Sequence, residues 1–351
     1  MRAAVMEAVR APLVVRDMPD PECPAHGAVV RVEANGVCRS DWHAWTGDWG
    51  WIGLELDFPF VLGHEFCGMV EAVGAEVRGF AAGDRVVVPF SQGEGSCEFC
   101  RVGMQNVCVD GFSPGFSYWG GFGRLVAVPH ADVNLVTLPE AIDFVDGAAL
   151  GCRYMTSFHG LYDQARVQAG EWVAIHGCGG IGLAAVQIAT ALGANVIAID
   201  IDAGKLERAT REGAVATVHA GNADPAEAVK EITKGGAQVA VDALGLAATC
   251  RNAVRSLRRR GRHLQIGMTS GAEKGEIAFP VDVIVESELV IVGTSGMPAP
   301  RYATMLAMIE AGRLSPGSLV SQKLSLAEAG AVLASMDDFA TVGIPVITDY
   351  S

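Results

Sequence analysis

The spacing of hydrophobic residues differs between the first 150 residues and the rest of the chain. In the first part, short stretches rich in β-branched residues are separated by glycine, proline and aspartate. These stretches occupy residues 29–32, 68–73, 85–89 and 124–128. Short strands at irregular spacing are typical of a barrel-like β domain, which we therefore expect in this part of the chain.

From residue 172 onward, short apolar runs alternate with segments of helical periodicity. The runs lie at residues 173–175, 196–199, 239–241, 264–266 and 289–293. This alternation predicts a doubly wound parallel sheet with helices on both faces, and hence an α/β fold class. A further helix is predicted over residues 301–311, because apolar residues recur there at helical spacing and Gly312 follows.

Length and polarity narrow the class of protein. A chain of 351 residues exceeds what one hydrophobic core usually organises, so two domains are expected. The chain has no run of apolar residues long enough to span a membrane. The first residues lose their apolar character too early for a signal peptide, so we expect a cytoplasmic protein.

The formal net charge of −14 argues against nucleic acid as a partner, because a phosphate backbone repels an acidic chain. Basic residues cluster only between residues 255 and 262. The run from Arg258 to Arg260 is expected at the C-terminal end of a helix, where cations stabilise the helix dipole. Nucleic acid is therefore not an expected partner.

A glycine-rich turn follows the first predicted strand of the second region and opens a helix. Its residues are Gly177, Gly179, Gly180, Ile181 and Gly182. In a nucleotide-binding turn, the first glycine permits a tight bend and the second lets the backbone approach a pyrophosphate. The third lets the helix pack closely against the strand, and the helix N-terminus offers free N–H groups to the phosphates. Packing alone is the competing explanation for these glycines.

Asp200 ends the next predicted strand. A carboxylate at this place accepts hydrogen bonds from both hydroxyls of an adenosine ribose and repels a 2′-phosphate. Ile201 supplies no compensating positive charge, and Lys205 is a further candidate contact of the ribose. The turn and the acid together predict that NAD is preferred over NADP.

Residues 36–65 contain side chains that zinc prefers. Cys38 and His64 are candidate ligands, because zinc favours thiolate sulfur and imidazole nitrogen. Ser40 and His43 follow Cys38 and offer a path for a proton. A catalytic zinc needs three protein ligands and one open position, and Cys152 is the candidate third ligand. Taken alone, a thiol such as Cys152 is more often part of the core.

Two carboxylates lie beside these candidate ligands in the sequence. Asp41 can accept a hydrogen bond from His64 and fix the tautomer of its ring. Glu65 can do the same, or it can approach the metal when the ligand at the open position is exchanged.

A second cluster lies within residues 93–110 and contains Cys97, Cys100 and Cys108. Their spacing allows three thiols to close around one tetrahedral ion. A structural zinc site needs a fourth ligand, and Glu94 is placed to supply it through a carboxylate oxygen. The alternative is a weak or empty site in which Glu94 is simply solvated.

Together these motifs resemble the zinc-dependent medium-chain alcohol dehydrogenases, over essentially the whole chain. The resemblance is closest to the yeast alcohol dehydrogenase type and rests on residues 36–49, 63–65 and 177–182. It implies a Rossmann domain that binds NAD at residues 154–294 and a barrel-like, GroES-like catalytic domain at residues 1–153. Residues 295–351 would return to the catalytic domain.

The resemblance also implies roles for individual residues. Cys38, His64 and Cys152 would bind the catalytic zinc, with Glu65 beside it. Ser40 would take the substrate proton, and His43 would pass it onward. Thr156 would pack against the nicotinamide, and Arg39 would contact the pyrophosphate. Trp45 and Trp49 would form walls of the substrate pocket.

Two departures from the family pattern have consequences. Glu94 stands where the structural lobe normally begins with a cysteine, so zinc in the lobe would need a carboxylate as its fourth ligand. Arg153 and Tyr154 follow Cys152 where small residues are common. If either side chain reaches the active-site cleft, substrate preference would shift away from ethanol, and Arg153 would favour an anionic substrate.

The expected function is the reversible oxidation of a primary or secondary alcohol by hydride transfer to NAD, with zinc as a Lewis acid. The alternative is a polyol, amino-alcohol or other specialised secondary-alcohol dehydrogenase on the same scaffold. A redox-inactive nucleotide binder is a hypothesis from another class, which the complete set of catalytic residues disfavours. Because family members are usually dimers or tetramers, we expect a homotetramer or a homodimer.

Overall fold

A computed structural model describes residues 1–338 and 341–351. Its contacts separate the chain into two compact units. Unit 1 comprises residues 1–155 and 296–351, and unit 2 comprises residues 156–295.

The described residues form sixteen strands. In chain order these are β1 (Arg2–Met6), β2 (Val14–Asp17), β3 (Ala28–Gly36), β4 (Phe60–Val61), β5 (Glu65–Val73), β6 (Arg85–Val87), β7 (Leu125–Val128), β8 (Val136–Thr137), β9 (Trp172–His176), β10 (Asn195–Asp200), β11 (Ala216–His219), β12 (Ala237–Asp242), β13 (Leu257–Gln265), β14 (Val290–Gly293), β15 (Val320–Ser325) and β16 (Ile344–Asp349).

Twelve α-helices accompany these strands within the described ranges. They are α1 (Arg39–Thr46), α2 (Glu98–Arg101), α3 (Ala131–Asn134), α4 (Phe144–Ala149), α5 (Cys152–Phe158), α6 (Gly180–Ala191), α7 (Ala203–Arg211), α8 (Pro225–Thr233), α9 (Ala247–Arg255), α10 (Val281–Glu286), α11 (Tyr302–Glu310) and α12 (Ala329–Ser335). Each of these helices is too short to cross a lipid bilayer.

Unit 1 is built on two sheets. The larger runs in the order β15-β16-β3-β5-β6-β8, with β7 paired to β3, and the smaller runs β2-β1-β4. Most of these pairs are antiparallel, and their inward side chains form a core that includes Val32, Phe66 and Phe122. All four stretches that the sequence predicts as strands overlap observed strands, which are β3, β5, β6 and β7. The β-rich first domain is therefore confirmed.

The antiparallel pairing of β3 with β5 positions the first two candidate ligands. Gly36 at the end of β3 lies opposite Glu65 at the start of β5. Because Cys38 follows Gly36 by two residues and His64 precedes Glu65 by one, this register brings the two segments together. On the other edge of β3, β16 pairs with the same end of the strand, with Val346 opposite Gly36.

Unit 2 is a six-stranded parallel sheet in the order β11-β10-β9-β12-β13-β14. The chain moves outward from β9 to β11 and then restarts on the other side of β9 with β12. In such sheets, ligands bind where the strand order reverses, at the carboxyl ends of the strands. The predicted doubly wound α/β fold is confirmed, and the helix predicted over residues 301–311 is observed as α11 in unit 1.

The expectation for the arginine run was wrong. Helix α9 ends at Arg255, and Arg258, Arg259 and Arg260 lie in β13. Their side chains are exposed, because the pairing of β12 with β13 shifts register at this point and the run lies outside the regular ladder. Arg259 donates to the carbonyl of Glu286 at 3.4 Å, and Arg260 lies 3.7 Å from a carboxylate oxygen of Glu288, so the run does not serve to stabilise a helix dipole.

Candidate functional site

Unit 1 brings four predicted residues into one cluster. Each of Cys38, His64, Glu65 and Cys152 offers a ligand atom, and these atoms all lie within 4.8 Å of one another. Cys38 is the residue before α1, and Cys152 is the first residue of α5. Glu65 begins β5, and His64 directly precedes it. The structure therefore joins residues that are separated by more than a hundred positions in the sequence.

Asp41 fixes the orientation of His64. One carboxylate oxygen, Oδ1, lies 2.9 Å from His64 Nδ1, and both side chains are fully buried. Asp41 also accepts backbone hydrogen bonds from Cys38 at 2.9 Å and from Gly63 at 3.1 Å. With the proton of His64 on Nδ1, the other ring nitrogen is left as a metal ligand, as expected for a histidine held by a carboxylate. That atom, Nε2, is buried and has no hydrogen-bond partner among the described residues.

The chemistry of this donor set fits zinc. The nearby Cys152 thiol and burial both raise the pKa of Cys38 well above its usual value. Burial lowers the pKa of His64, but Asp41 outweighs this effect and the net shift is upward. A divalent cation opposes both effects, because it stabilises thiolates and displaces protons from its ligands. Two sulfurs and one imidazole nitrogen are a typical catalytic zinc set with one position open.

Glu65 is engaged by Arg153 rather than by His64. Arg153 donates from Nε to Glu65 Oε1 at 3.1 Å, and its Nη2 forms an ion pair with Oε2. Both side chains are buried, and Tyr154 is buried as well. The charge of Arg153 is thus neutralised within unit 1, which contradicts the idea that Arg153 favours an anionic substrate. Sequence reasoning missed this pair because its members are 88 residues apart.

Ser40 and His43 lie on α1, three residues apart and therefore on the same face of the helix. His43 Nδ1 lies 2.6 Å from Asp48 Oδ2, and the imidazole stacks on Trp49 with ring centres 4.6 Å apart. Burial lowers the pKa of His43, and the hydrogen bond that His43 donates to Asp48 offsets only part of this shift. The ring is therefore neutral at neutral pH and able to accept a proton.

The two tryptophans predicted to line a substrate pocket have different surroundings. Trp49 lies 6.1 Å from the ring of Phe116, which in turn lies 4.9 Å from the His64 ring. Trp45 instead packs in the core of unit 1 and donates its indole N–H to the carbonyl of Ala11 at 2.7 Å. Trp45 lies on the face of α1 opposite to His43, and its side chain points into the core. The pocket role expected for Trp45 is therefore not supported.

Two aromatic residues near His64 were missed by sequence reasoning. The Phe90 ring lies edge-on to the His64 ring at 5.9 Å, and Phe116 lies closer on another side. Both residues lie outside strands and helices, so no periodic pattern identified them.

The second predicted cluster is also assembled. Glu94, Cys97, Cys100 and Cys108 place their ligand atoms within 4.8 Å of one another, and the Cys97 and Cys108 sulfurs are 3.7 Å apart. Glu94 accepts hydrogen bonds from the backbone N–H groups of Ser96 at 2.8 Å and Cys97 at 2.7 Å. A hydrogen bond from the Ser96 side chain, together with these backbone bonds, lowers the pKa of Glu94 to about 2, so Glu94 is an anion in this loop. Three thiols and a carboxylate meet the requirement of a closed structural zinc site.

The glycine-rich turn of unit 2 has the geometry that a nucleotide needs. Gly177 has a φ of 95°, which side chains rarely adopt, and a Cβ at Gly182 would collide with the Gly177 carbonyl oxygen. At Gly179 a Cβ would point into open space, where a ligand can approach the backbone. Gly180 begins the twelve-residue helix α6, and Ile181 lies in its first turn. The helix N-terminus is thus exposed to a phosphate at the reversal of strand order.

Asp200 ends β10 beside this turn. Its Oδ2 accepts the backbone N–H of Cys178 at 2.7 Å, and its Oδ1 accepts that of Asp202 at 3.0 Å. Asp202 in turn caps α7 by accepting from the backbone N–H of Lys205, while Ile201 is exposed. The glycine-rich turn therefore holds Asp200 in place through the backbone of Cys178. The spacing of residues in the sequence did not reveal this contact.

Two further predicted contacts of the cofactor lie in different units. Thr156 in unit 2 is buried, and its Oγ1 has no hydrogen-bond partner among the described residues. Arg39 in unit 1 stacks on Trp42 at 3.7 Å and donates to the carbonyl of Met336.

Comparison with known proteins identifies the family. A profile described as the alcohol dehydrogenase GroES-like domain matches residues 24–140, and one described as zinc-binding dehydrogenase matches residues 180–311. The chain is 29% identical to the NAD-dependent alcohol dehydrogenase of Sulfurisphaera tokodaii over 99% of both chains. It is 32% identical to the sorbitol dehydrogenase of Bacillus subtilis over 93% of this chain and 90% of that one.

Among solved structures, the alcohol dehydrogenase TADH from Thermus sp. ATN1 superposes with a TM-score of 0.90 at 30% identity, covering 99% of this chain and 100% of that one. The fold and both metal-ligand clusters thus belong to one class, the zinc-containing medium-chain oxidoreductases. Within that class, the chain belongs to the zinc-dependent alcohol dehydrogenase family. The resemblance found in its motifs is confirmed.

Proposed function

We propose that this protein is a zinc-dependent alcohol dehydrogenase that reversibly oxidises a primary or secondary alcohol to an aldehyde or ketone with NAD. The observation that carries the proposal is the cluster of Cys38, His64 and Cys152, with His64 oriented by buried Asp41. These three residues would hold the catalytic zinc. When bound, zinc supplies a Lewis acid for the alcohol oxygen and NAD supplies the hydride acceptor.

The proton of the alcohol would leave through α1. Ser40 Oγ accepts it from the substrate hydroxyl, and His43 takes it onward. Because Asp48 Oδ2 engages Nδ1 of His43, the proton is accepted at Nε2. The lowered pKa of His43 keeps the imidazole in the neutral form that this step requires.

Unit 2 would bind NAD. The turn containing Gly177, Gly179 and Gly182 would hold the pyrophosphate at the N-terminus of α6, with the backbone of Gly180 and Ile181 facing it. Asp200 would accept the ribose hydroxyls, with Lys205 as a further contact. A carboxylate fixed at the end of β10 disfavours the 2′-phosphate of NADP, so NAD is the preferred cofactor. Thr156 and Arg39 would contact the nicotinamide and the pyrophosphate.

The remaining assignments follow from the same reasoning. Residues 1–153 and 295–351 would form the catalytic domain, and residues 154–294 the NAD-binding domain. Glu94, Cys97, Cys100 and Cys108 would hold a structural zinc in the lobe at about 93–110.

A cytoplasmic location is supported by nine free cysteines, several of them in metal clusters, because thiols persist in reducing compartments.

A homotetramer is supported by two separate apolar surfaces. The edge patch consists of Val285, Val290 and Ile291, on α10 and on the outermost strand β14. The lobe patch consists of Val102 and Val109 beside the second metal cluster. Exposed apolar groups on a free sheet edge are typical of subunit contacts, and a tetramer of D2 symmetry needs two different interfaces.

A second candidate function is polyol oxidation on the same scaffold. It is favoured by the similarity to a sorbitol dehydrogenase over most of the chain. The aromatic rings of Phe90, Phe116 and Trp49 near His64 favour the first candidate instead, because they form an apolar surface that suits a hydrocarbon group better than several hydroxyls.

The test is a comparison of wild type with Cys38→Ser, assayed with primary, secondary, benzylic and polyol alcohols and with NAD and NADP in parallel. Wild type is expected to reduce NAD with a monohydric alcohol, and Cys38→Ser is expected to lose turnover because a zinc ligand is removed. NAD affinity, measured by calorimetry, should stay largely intact in the variant.

The matched control is Cys67→Ser, which alters a buried thiol of the same unit that lies outside both clusters. It should retain activity. Full turnover in Cys38→Ser, or in protein stripped of zinc, would refute the proposal. A preference for sorbitol over monohydric alcohols would establish the second candidate.

A further inference from the structure

Two residues of unit 1 that directly follow candidate zinc ligands form a buried ion pair. Glu65 follows His64 at the start of β5, and Arg153 follows Cys152 at the start of α5. The pair therefore ties together two of the three segments that supply ligands. Neither side chain has a part in the proton path proposed above.

The guanidinium group of Arg153 occupies both oxygens of Glu65. Nε donates to Oε1 at 3.1 Å, and Nη2 pairs with Oε2. The backbone N–H of Arg153 also donates to Oε1, at 3.3 Å. A forked, two-point contact of this kind is specific to arginine, since the ammonium group of lysine cannot hold both oxygens at once.

The fold makes room for this pair. A Cβ at Gly36 would collide with Glu65 Oε2 and lie 3.2 Å from Arg153 Nη2. A Cβ at Gly151 would collide with the Glu65 side chain. Glu65 is 1% exposed and Arg153 is 7% exposed, so the contact is shielded from water. Two glycines and an arginine therefore surround one carboxylate.

Glu65 is close enough to the ligand cluster to compete for the metal. One of its oxygens lies within 4.8 Å of the ligand atoms of Cys38, His64 and Cys152. Zinc accepts carboxylate oxygen, and four protein ligands would close the site as in structural zinc centres. A catalytic site needs its fourth position for the substrate, so a carboxylate at this distance must be restrained.

We propose that Arg153 is a positioning residue that occupies both oxygens of Glu65 and thereby keeps the fourth zinc position open for the alcohol. The inference rests on the proposed alcohol oxidation at this site. In the absence of the guanidinium group, the Glu65 carboxylate becomes a competing ligand. The competition is intramolecular, so it acts against any ligand that enters the open position.

The experiment uses the enzyme with cobalt(II) in place of zinc and imidazole as the probe. Cobalt(II) accepts the same ligands and absorbs visible light, so the spectrum reports when imidazole enters the open position. The lobe cluster has four candidate protein ligands, which would leave no position for imidazole, so the difference spectrum is expected to report the catalytic site. Wild type, R153M and R153M/E65Q are titrated side by side.

In R153M the freed carboxylate should weaken imidazole binding by about 10-fold or more, the usual range for residues that support metal ligands. In R153M/E65Q the neutral amide is a poor zinc ligand, so imidazole affinity should return to the wild-type value. R124M is the matched control, because it removes a half-buried arginine of unit 1 that pairs with Glu33 and not with the cluster. It should bind imidazole as wild type does.

Unchanged imidazole affinity in R153M would overturn the inference. Equal weakening in R153M and R153M/E65Q would overturn it as well, because the effect would not pass through Glu65. If R153M does not fold, R153K and R153K/E65Q carry the same test, since one ammonium group leaves a Glu65 oxygen free. A wild-type enzyme without zinc-dependent alcohol oxidation would refute the proposed function, whereas the imidazole titration judges Arg153 independently of turnover.

Discussion

The pKa of His43 is set by the residues that surround its imidazole ring. Burial lowers its pKa, while Asp48, 2.6 Å away, raises the pKa by favouring the imidazolium. The stacked ring of Trp49 covers one face of the imidazole and limits its access to water. Alcohol oxidation needs the neutral ring as a proton acceptor, so its rate should fall as the pH drops through the pKa of His43.

Asp48→Asn removes the charge that raises the pKa of His43. The pKa should therefore fall further, and the acid limb of the kcat/KM profile should move to lower pH. His43→Gln should slow the reaction mainly at low pH, where hydroxide is too scarce to replace the imidazole. The measurement is the pH dependence of alcohol oxidation for both variants.

The control for this pH series is Asp57→Asn, which changes an exposed carboxylate outside α1. Its profile should match that of wild type. If the acid limb in Asp48→Asn moves to higher pH, or if His43→Gln leaves the profile unchanged, then His43 is not part of the proton path.

Residue spacing along the chain is sufficient to propose groups of candidate residues that lie close together in the sequence. Cys38, Ser40 and His43 lie within six positions, and the cysteines of the lobe lie within twelve. The contact of Arg153 with Glu65 depends on two distant segments, so residue spacing does not encode it. The position of Trp45 in the core depends on which face of α1 packs inward, and the sequence of this eight-residue helix does not specify that face.

At the scale of elements, the lobe is held by side chains more than by regular structure. Helix α2 has only four residues, and Cys97 precedes it. Cys100 lies within α2, and Cys108 follows a short 3₁₀ segment, Gln105–Val107. So little hydrogen-bonded structure contributes little stability of its own, and a bound ion is what would fix the loop.

Glu94→Gln tests the metal of the lobe. The amide can still accept hydrogen bonds from the backbone, but it is a poor zinc ligand. We expect the zinc content to fall from about two ions per chain, one for each cluster, to about one, with a Tm lower by a few degrees. Elemental analysis and calorimetry measure these quantities.

Glu98→Gln is the control for the lobe, because Glu98 is an exposed carboxylate of the same loop. It should keep both ions. Two ions per chain in Glu94→Gln would show that Glu94 is not a ligand, and a single ion in wild type would show that the lobe is empty.

The parallel sheet of unit 2 was the most predictable element, since its strands are continuous apolar runs separated by helical segments. The arginine run was misassigned because sequence periodicity does not show where β12 and β13 fall out of register. Strand bounds follow from local hydrophobicity, whereas register depends on the partner strand.

At the scale of the whole molecule, the two edge strands of the unit 2 sheet differ in how apolar their exposed side chains are. At β14 the side chains of Val290 and Ile291 are exposed, while β11 at the other edge is more polar. A free edge with apolar side chains pairs readily with a second copy of itself. The assembly is therefore expected to depend on β14.

Val290→Asp should weaken the assembly, because a charge would be buried at the subunit contact without a partner. We expect a smaller species by analytical ultracentrifugation at low protein concentration. Val215→Asp is the control, since Val215 is also an exposed valine and lies next to β11 at the opposite edge. A mass for Val290→Asp that equals wild type at all concentrations would exclude β14 from the interface.

The pairing of β16 with β3 has a consequence for synthesis of the protein. Val346 lies opposite Gly36, and the carbonyl of Pro345 accepts the backbone N–H of Val37 at 2.8 Å. The segment that leads to Cys38 thus gains its second neighbouring strand only after the ribosome has translated all of unit 2. A nascent chain that already contains a complete nucleotide-binding sheet still lacks one support of its first metal ligand. We therefore expect the segment that carries Cys38 to reach its final backbone support only at the end of synthesis.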